Sequence, residues 1–238
     1  MKIVIFQKGF NYSQDGPGNR LVYHMQGCNM RCPWCANPEG MAASGGTACD
    51  AEALLEEIQR SRSMFFEGGG VTFTGGEPTM QFEALGFLLR ALKGQGIDTA
   101  IETNGTYPRL PELFDCIDHL IVDFKQPFAQ RHRAITGVDS SNLLSNLRRA
   151  AREHPDVLVR IPFVNGYNAS REDMERFARV LSEFGGVPVE LLRYHEYGRA
   201  KWDRMGLTYP VENGFVSEEQ VSGFLSILHA HGVRTVRT

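Results

Sequence analysis

Cys28-Asn29-Met30-Arg31-Cys32-Pro33-Trp34-Cys35 places three cysteines in one loop, separated by three residues and then by two. A loop with that spacing can wrap three thiolates around one face of an iron-sulfur cubane. Four cysteines normally complete such a cluster. Three therefore leave one iron for another ligand, a substrate above all, and an open iron is a place for chemistry. The competing reading is a zinc site made of the three cysteines with His24 or Cys49. Tight spacing without a second cysteine pair is atypical of zinc modules.

Outward from the loop, a candidate strand at Arg20–Gln26 precedes it, and β-rich apolar runs alternate with longer segments of helical period after it. Further strands are expected at Val71–Thr74, Asp98–Glu102, His119–Phe124, Val157–Phe163 and Pro188–Leu192, six in all, with a short last one near Val233–Val236. Helices are expected at Asp50–Arg62, Gln81–Gln95, Leu110–Asp115, Ser140–Glu153, Arg171–Glu183 and Ser217–His231. Leu143, Leu144, Leu147 and Ala151 show the apolar face that such a helix lays on a sheet. Strict alternation predicts a parallel sheet with right-handed crossovers, either open and doubly wound or closed toward a barrel. The distinctive residues decide between the two, because they fall at strand ends. The cysteines follow the first strand, Gly75-Gly76-Glu77-Pro78 the second and Thr103-Asn104-Gly105 the third; Asp123 and Lys125 lie at the fourth, and His195 follows the sixth. A β/α barrel builds its site at the carboxyl ends of successive strands, and an open sheet would bring fewer of them together.

With 238 residues, 42% hydrophobic and 22% charged, the chain has the material of one large globular domain, and no low-complexity run or charge block marks a linker. A formal charge of −3 gives no global drive toward nucleic acid or an anionic membrane. No stretch is apolar enough to span a bilayer, and Met1–Phe6 is too short for a signal peptide. Five cysteines, three of them clustered, are no disulfide framework and fit a reducing cytoplasm. Cys49 and Cys116 are read as small packing residues, with Cys49 near enough in sequence to keep a ligand role open.

The cysteine triad, with Trp34 just before Cys35 and its place after the first strand of a β/α series, resembles the signature of the radical S-adenosylmethionine (SAM) enzymes. The resemblance implies one 4Fe-4S cluster on Cys28, Cys32 and Cys35, with SAM as cosubstrate chelating the fourth iron and cleaved to methionine and a 5'-deoxyadenosyl radical. In such a system the hard chemistry belongs to the cofactor. Thr74-Gly75-Gly76-Glu77-Pro78 then resembles the segment that binds the SAM amino group. By itself the run is an ordinary strand-to-helix turn whose glycines let backbone approach a ligand, and Glu77 either accepts from a ligand ammonium or caps structure locally.

Asp15-Gly16-Pro17-Gly18-Asn19-Arg20, Gln26-Gly27-Cys28, Glu102-Thr103-Asn104-Gly105, Asp123-Phe124-Lys125-Gln126 and the run from Tyr194 to Trp202 narrow the resemblance to pyruvate formate-lyase activating enzyme and its relatives, the glycyl-radical enzyme activases. The fold this implies is α/β, a partial (β/α)6 TIM-like barrel of the radical SAM type, as a single domain over residues 1–238. The same resemblance makes Trp34, Cys35 and Ala36 neighbours of SAM and puts Gly75, Gly76 and Glu77 near its amino group. Thr103, Asn104, Asp123 and Lys125 follow as contacts, Asp123 and Lys125 by the methionine part, with Arg160 toward a carboxylate and His195 at the far side of the pocket. Plain alternatives stand beside these: Asp123 pairing Lys125 across a strand end, Asn104-Gly105 as a turn dipeptide, Arg160 in a surface pair, His195 as a structural hydrogen-bonding residue. Glu102, with Thr103 and Asp123, stands where the activases hold a monovalent cation, there with an aspartate. The longer side chain either supplies an oxygen or displaces the ion.

The expected activity is removal of hydrogen from a glycine α-carbon in a glycyl-radical enzyme, with flavodoxin or ferredoxin as reductant, by a cytoplasmic monomer that binds neither nucleic acid nor membrane. Between Cys35 and Val71 only Cys49 occurs, so the ferredoxin-like insert of many activases is missing. Tyr194–Met205, rich in Arg, Lys, Tyr and Trp, is expected either to form part of the docking rim for the partner or to be a packed tail. Two other readings compete: a radical SAM enzyme acting on a small molecule such as a pterin or nucleotide, and a cluster-bearing electron carrier.

Overall fold

The structure, a computed structural model, describes residues 1–237. A long first strand, β1 (Lys2–Tyr12), pairs antiparallel with β2 (Asn19–Met25) on one side and with β3 (Thr47–Asp50) on the other. Beyond β2 the pairing is parallel through β4 (Val71–Gly75), β5 (Thr99–Thr103), β6 (His119–Asp123), β7 (Val157–Phe163), β8 (Val189–Arg193) and the two-residue β9 (Thr235–Val236). Among the described residues the order is β3-β1-β2-β4-β5-β6-β7-β8-β9, with β3 and β9 at opposite ends, so the barrel is partial and unclosed. Helices α1 (Ala51–Arg60), α2 (Phe82–Gly94), α3 (Ala129–Thr136), α4 (Ser141–Glu153), α5 (Arg171–Ser182), α6 (Arg199–Arg204) and α7 (Glu218–Ala230) fill the connections. None is long and apolar enough to cross a membrane.

Side chains alternate in facing along a strand, and here the alternation separates a polar lumen from an apolar jacket. Leu21, Tyr23 and Met25 of β2, Val71 and Phe73 of β4, Leu120 and Val122 of β6, and Val157, Val159, Ile161 and Phe163 of β7 join the core beneath the helices. Fully burying such a side chain contributes on the order of 1.5–3 kcal/mol. The intervening positions carry Arg20, Thr72, Thr74, Glu102, Arg160 and Glu190, which hydrogen-bond one another across the lumen. Helices close the jacket where their sequence caps allow. Ser170 with Asp173 and Ser217 with Gln220 form capping boxes that start α5 and α7, and Leu143 and Leu147 of α4 are buried as their spacing predicts.

The six central strands lie where the alternation predicts them. Four elements were not expected. β1 and β3 lie outside the β/α series, and β3 has only four residues, with the helix predicted from Asp50 beginning one residue later. α3 has the polar sequence AQRHRAIT and ends at Gly137 in the left-handed region, φ +84°. α6 has six residues. The helix expected at Leu110–Asp115 is instead a 3-10 run, Leu110–Cys116, started by Pro111; Leu110 and Leu113 stack three apart on the core, which suits three residues per turn.

Candidate active site

The cysteine loop leaves the carboxyl end of β2, and the glycines after β4 lace it down. Gly76 N–H donates to the Met25 carbonyl at 2.9 Å, Glu77 N–H to that of Gly27 at 2.7 Å, and Gly27 N–H to that of Gly40 at 2.9 Å. Gly75 sits at φ +112°, and a Cβ there would stand 2.5 Å from the Met25 nitrogen; one on Gly76 would stand 2.3 Å from the Gly27 carbonyl oxygen. Only glycine allows two backbones that close.

Glu77 is 1% exposed. One oxygen accepts from Thr79 N–H at 3.1 Å, from the Thr79 hydroxyl, and from the Thr103 hydroxyl at 2.7 Å; the other accepts from Asn104 N–H at 2.7 Å. Burial pushes this carboxyl above its ordinary value, and the four donors oppose that shift. Of the two roles open to Glu77, local capping is the one its contacts fill. Asn104 passes the connection on: its amide donates to the Asn29 side-chain oxygen at 2.7 Å, and Asn29 in turn donates to the Thr106 hydroxyl at 2.8 Å. Asn29 was not singled out in the sequence, because an Asn between two loop cysteines carries no pattern.

Cys28, Cys32 and Cys35 open on a cavity of about 230 Å³, and Trp34, Ala36, Gly75, Gly76, Glu77, Glu102, Thr103, Asn104, Asp123, Lys125, Arg160 and His195 line it with them. Every residue predicted for the site is thus brought to one space. Met30, Trp34, Val164, Tyr194 and Val211 form an apolar wall around Cys32, and Trp34 stands edge-on to Tyr167 at 5.2 Å between ring centroids. Burial pushes the thiols of Cys28 and Cys32 up to about 12 and that of Cys35 to about 11, so loading a metal displaces their protons. Backbone N–H groups already point at two sulfurs, Met30 at Cys28 (3.3 Å) and Asn37 at Cys35 (3.4 Å).

One buried and two half-buried thiols, the latter two with amide donors, beside a largely apolar wall fit an iron-sulfur cluster. They do not converge as ligands of a single ion would, and among the described residues no three His, Cys, Asp or Glu side chains do. A cubane presents its irons at separate corners and has no need of such convergence. The zinc alternative also lacks its fourth ligand here. Cys49 lies on β3 opposite Ile3, its thiol directed to the Thr47 carbonyl, and His24 packs on Phe6; neither lines the cavity.

Charges pair across the lumen. Arg160 donates from Nε to Glu190 at 2.7 Å, from Nη1 to Glu102, and from Nη2 to the Gln14 carbonyl at 2.6 Å. Thr74 donates to the second Glu102 oxygen at 2.9 Å. Burial pushes the Glu102 carboxyl up against the pull of Arg160. Lys125 donates to Asp123 at 2.7 Å; burial alone would lower the ammonium, but Asp123 together with the Cys32 and Cys28 sulfurs outweighs it and holds the group above its ordinary value. Arg160 is therefore no surface residue, and the Asp123–Lys125 pair predicted as the plain alternative is present. At Glu102, Thr103 and Asp123, expected around a monovalent cation, the carboxylates already have cationic side chains as partners. Both Glu102 oxygens are engaged, the Thr103 hydroxyl donates to Glu77, and guanidinium and ammonium groups already stand beside the carboxylates.

At the mouth, His195 is exposed and stacks on Tyr197 at 4.2 Å, and Tyr197 is 81% exposed. The rest of the expected rim divides. Tyr194 turns in and shares a hydrogen bond with Tyr209 at 2.9 Å, while Lys201 and Trp202 reach the cysteine loop instead of solvent.

The sequence profile of the Radical SAM superfamily matches residues 22–179. The chain is 34% identical over 204 residues to the pyruvate formate-lyase 1-activating enzyme of Escherichia coli K12, covering 83% of each chain. It is 35% identical over 202 residues to the pyruvate formate-lyase-activating enzyme of Clostridium pasteurianum, covering 84% of this chain and 85% of that one. Among solved structures, a domain of pyruvate-formate lyase-activating enzyme from Bacteroides vulgatus superposes with a TM-score of 0.59 at 27% identity, covering 71% of this chain and 98% of that one.

Proposed function

The chain belongs to the radical SAM superfamily as a relative of the pyruvate formate-lyase activating enzymes, and from that premise we propose that it activates a glycyl-radical enzyme by removing hydrogen from one of its glycines. What carries this reading is the opening of the three-cysteine loop onto the cavity that also gathers Gly75, Gly76, Asp123, Lys125 and Arg160, in a chain 34–35% identical to activating enzymes over most of its length.

Cys28, Cys32 and Cys35 would hold a 4Fe-4S cluster, and the glycine edge after β4 and the Trp34–Ala36 backbone would face SAM. When bound, the cluster would pass one electron, drawn from flavodoxin or ferredoxin, to SAM, whose cleavage to methionine would supply a 5'-deoxyadenosyl radical to take a hydrogen atom from a glycine α-carbon, giving 5'-deoxyadenosine and the glycyl radical. The chain's own part is to bind, orient and exclude water. Lys125 and Arg160 give the lumen a positive pole suited to a ligand carboxylate, balanced by Asp123, Glu102 and Glu190. The apolar wall around Cys32 shields that thiol from water. Exposed Leu192, Arg193 and His195 at the mouth leave room for a peptide loop, which favours a protein substrate over a small molecule. No monovalent cation enters this scheme, since Arg160 occupies the Glu102 carboxylate.

Anaerobically reconstituted and reduced protein is incubated with SAM and a pyruvate formate-lyase-type glycyl-radical enzyme, and the partner is examined by electron paramagnetic resonance. A glycyl doublet is expected, together with 5'-deoxyadenosine. Deoxyadenosine formed only when a metabolite replaces the partner would sink the proposal. Cys32→Ala should lose cluster and activity together.

A further inference from the structure

The segment from Gly198 to Trp202, expected to face a partner, lies across the end of the cysteine loop. A Cβ on Gly198 would stand 2.5 Å from the Cys35 carbonyl oxygen and 2.8 Å from Ala36 Cα, so α6 starts in backbone-to-backbone contact with the loop. One turn on, the Trp202 indole N–H donates to that same Cys35 carbonyl at 3.0 Å. Beside it, Lys201 Nζ donates to the Asn37 side-chain oxygen at 2.7 Å and pairs with Glu39 at 3.0 Å. Between those two anchors runs the Cys35–Asn37 backbone, and the Asn37 N–H is the group that donates to the Cys35 sulfur. The Trp202 ring packs edge-on against Tyr209, 5.8 Å between centroids, and Tyr209 is bonded to Tyr194 at the end of β8. The clamp is therefore fixed to the barrel itself.

We propose that Lys201 and Trp202 are positioning residues for the last cysteine: by fixing the Cys35 carbonyl and the Asn37 side chain they hold the Asn37 N–H on the Cys35 sulfur, and through that bond they set the reduction potential of the cluster. This rests on the functional reading above only in taking the three cysteines as cluster ligands. A hydrogen bond to a ligating sulfur stabilises the more negative, reduced state and is one of the levers that set iron-sulfur potentials. A loop free to let that N–H swing away loses the stabilisation, and the potential falls. Trp202 and Lys201 touch no cluster atom in this scheme; they act through Cys35 and Asn37.

Trp202→Phe keeps a ring against Tyr209 and removes the donor, Lys201→Met keeps the stem and removes the charge, and Lys201→Arg restores a donor. Reconstituted wild type and variants are assayed for iron and sulfide and titrated redox-potentiometrically without SAM, with the cluster signal followed by electron paramagnetic resonance. Expected are wild-type metal content throughout, a lower potential in Trp202→Phe and Lys201→Met, and recovery toward wild type in Lys201→Arg. Full clusters with wild-type potentials in both donor-less variants would overturn the proposal. Hydrogen exchange of residues 35–39 in the metal-free proteins gives a second readout that no loading defect can obscure. Loss of one such bond should speed exchange there about fivefold, and unchanged exchange in both variants would equally overturn the clamp. Wild type that takes up no iron-sulfur cluster would refute the functional reading instead, and the exchange measurement would still report on the clamp.

Discussion

Glu77→Gln separates two roles that a carboxylate after Gly75-Gly76 can play. In the structure one Glu77 oxygen receives three donors and the other receives Asn104 N–H at 2.7 Å. Glutamine keeps the carbonyl toward the three donors and sets an amide NH₂ against Asn104 N–H; the flipped rotamer sets it against the three. The better rotamer loses one charge-assisted bond, about 1.5–3 kcal/mol, and buries an unpaired donor at a cost of about 1–3 kcal/mol. A total of roughly 3–5 kcal/mol, at about 2–4 °C per kcal/mol for a chain of this length, lowers the melting temperature by at least about 6 °C. Thermal unfolding of metal-free, reduced protein followed by circular dichroism measures this without SAM or cluster. A carboxylate kept for a ligand ammonium would give the opposite pattern, unchanged unfolding with weakened SAM binding. A shift below about 2 °C would refute the capping role.

Arg160→Met should leave Glu102 buried without its guanidinium and destabilise the chain by about 3–5 kcal/mol, less at pH 5 than at pH 8 because protonation relieves the uncompensated Glu102 charge; denaturant unfolding at the two pH values checks this. With Arg160 in place, deoxyadenosine formation should be equal in potassium, sodium and tetramethylammonium buffers, and strict dependence on one small cation would contradict the lumen pairing. Burial lowers the His119 imidazole, but Asp98 at 3.1 Å and Asp156 at 2.5 Å outweigh it and hold it above its ordinary value. That stabilisation is therefore complete below the ordinary imidazole value and lost as pH rises through the raised folded one. The advantage of wild type over His119→Gln in melting temperature should shrink as pH rises above the ordinary imidazole value of about 6.5. Cys49→Ser should load as much iron and sulfide as wild type, because Cys49 sits on the β3 edge.

The six parallel strands and the gathering of every predicted site residue on one cavity were legible because both follow local rules. A strand buried on its jacket face must alternate, and strand-end polar residues of a barrel point to one mouth. β1 and β3 escape those rules: their pairing is with each other and with β2, and four residues such as Thr47-Ala48-Cys49-Asp50 carry too little alternation to betray a strand. Glu102 was legible as a site position, but whether its carboxylate is free to give a cation an oxygen was not. Its partner, Arg160, comes from a strand 58 residues further on, and nothing in the local sequence shows that a guanidinium reaches it.

The same contrast explains the loop that holds the cysteines. Their spacing is local and decides the chemistry, but their rigidity is supplied from far along the chain. Gln26 donates to the carbonyls of Glu39, Ala42 and Ser44, Asn29 is bonded from Asn104, 75 residues away, and Trp202 reaches Cys35 across 167 residues. Each closure joins a common residue type to a backbone or amide group, a pairing with no sequence period. The Tyr194–Met205 segment shows the consequence: a docking rim and a packed segment were both open from its sequence, and the structure packs part of the run while leaving part exposed. Aromatic and basic residues are what an interface uses, and they are equally what a clamp uses, since an indole N–H and a lysine ammonium are donors with long reach. Burial separates the two uses. Tyr197 stays 81% exposed, whereas the Lys201 side chain is 22% exposed and directs its ammonium at Asn37 and Glu39. A substitution at Tyr197 should therefore act on partner binding and leave the loop unchanged, while Lys201 and Trp202 act on the loop first.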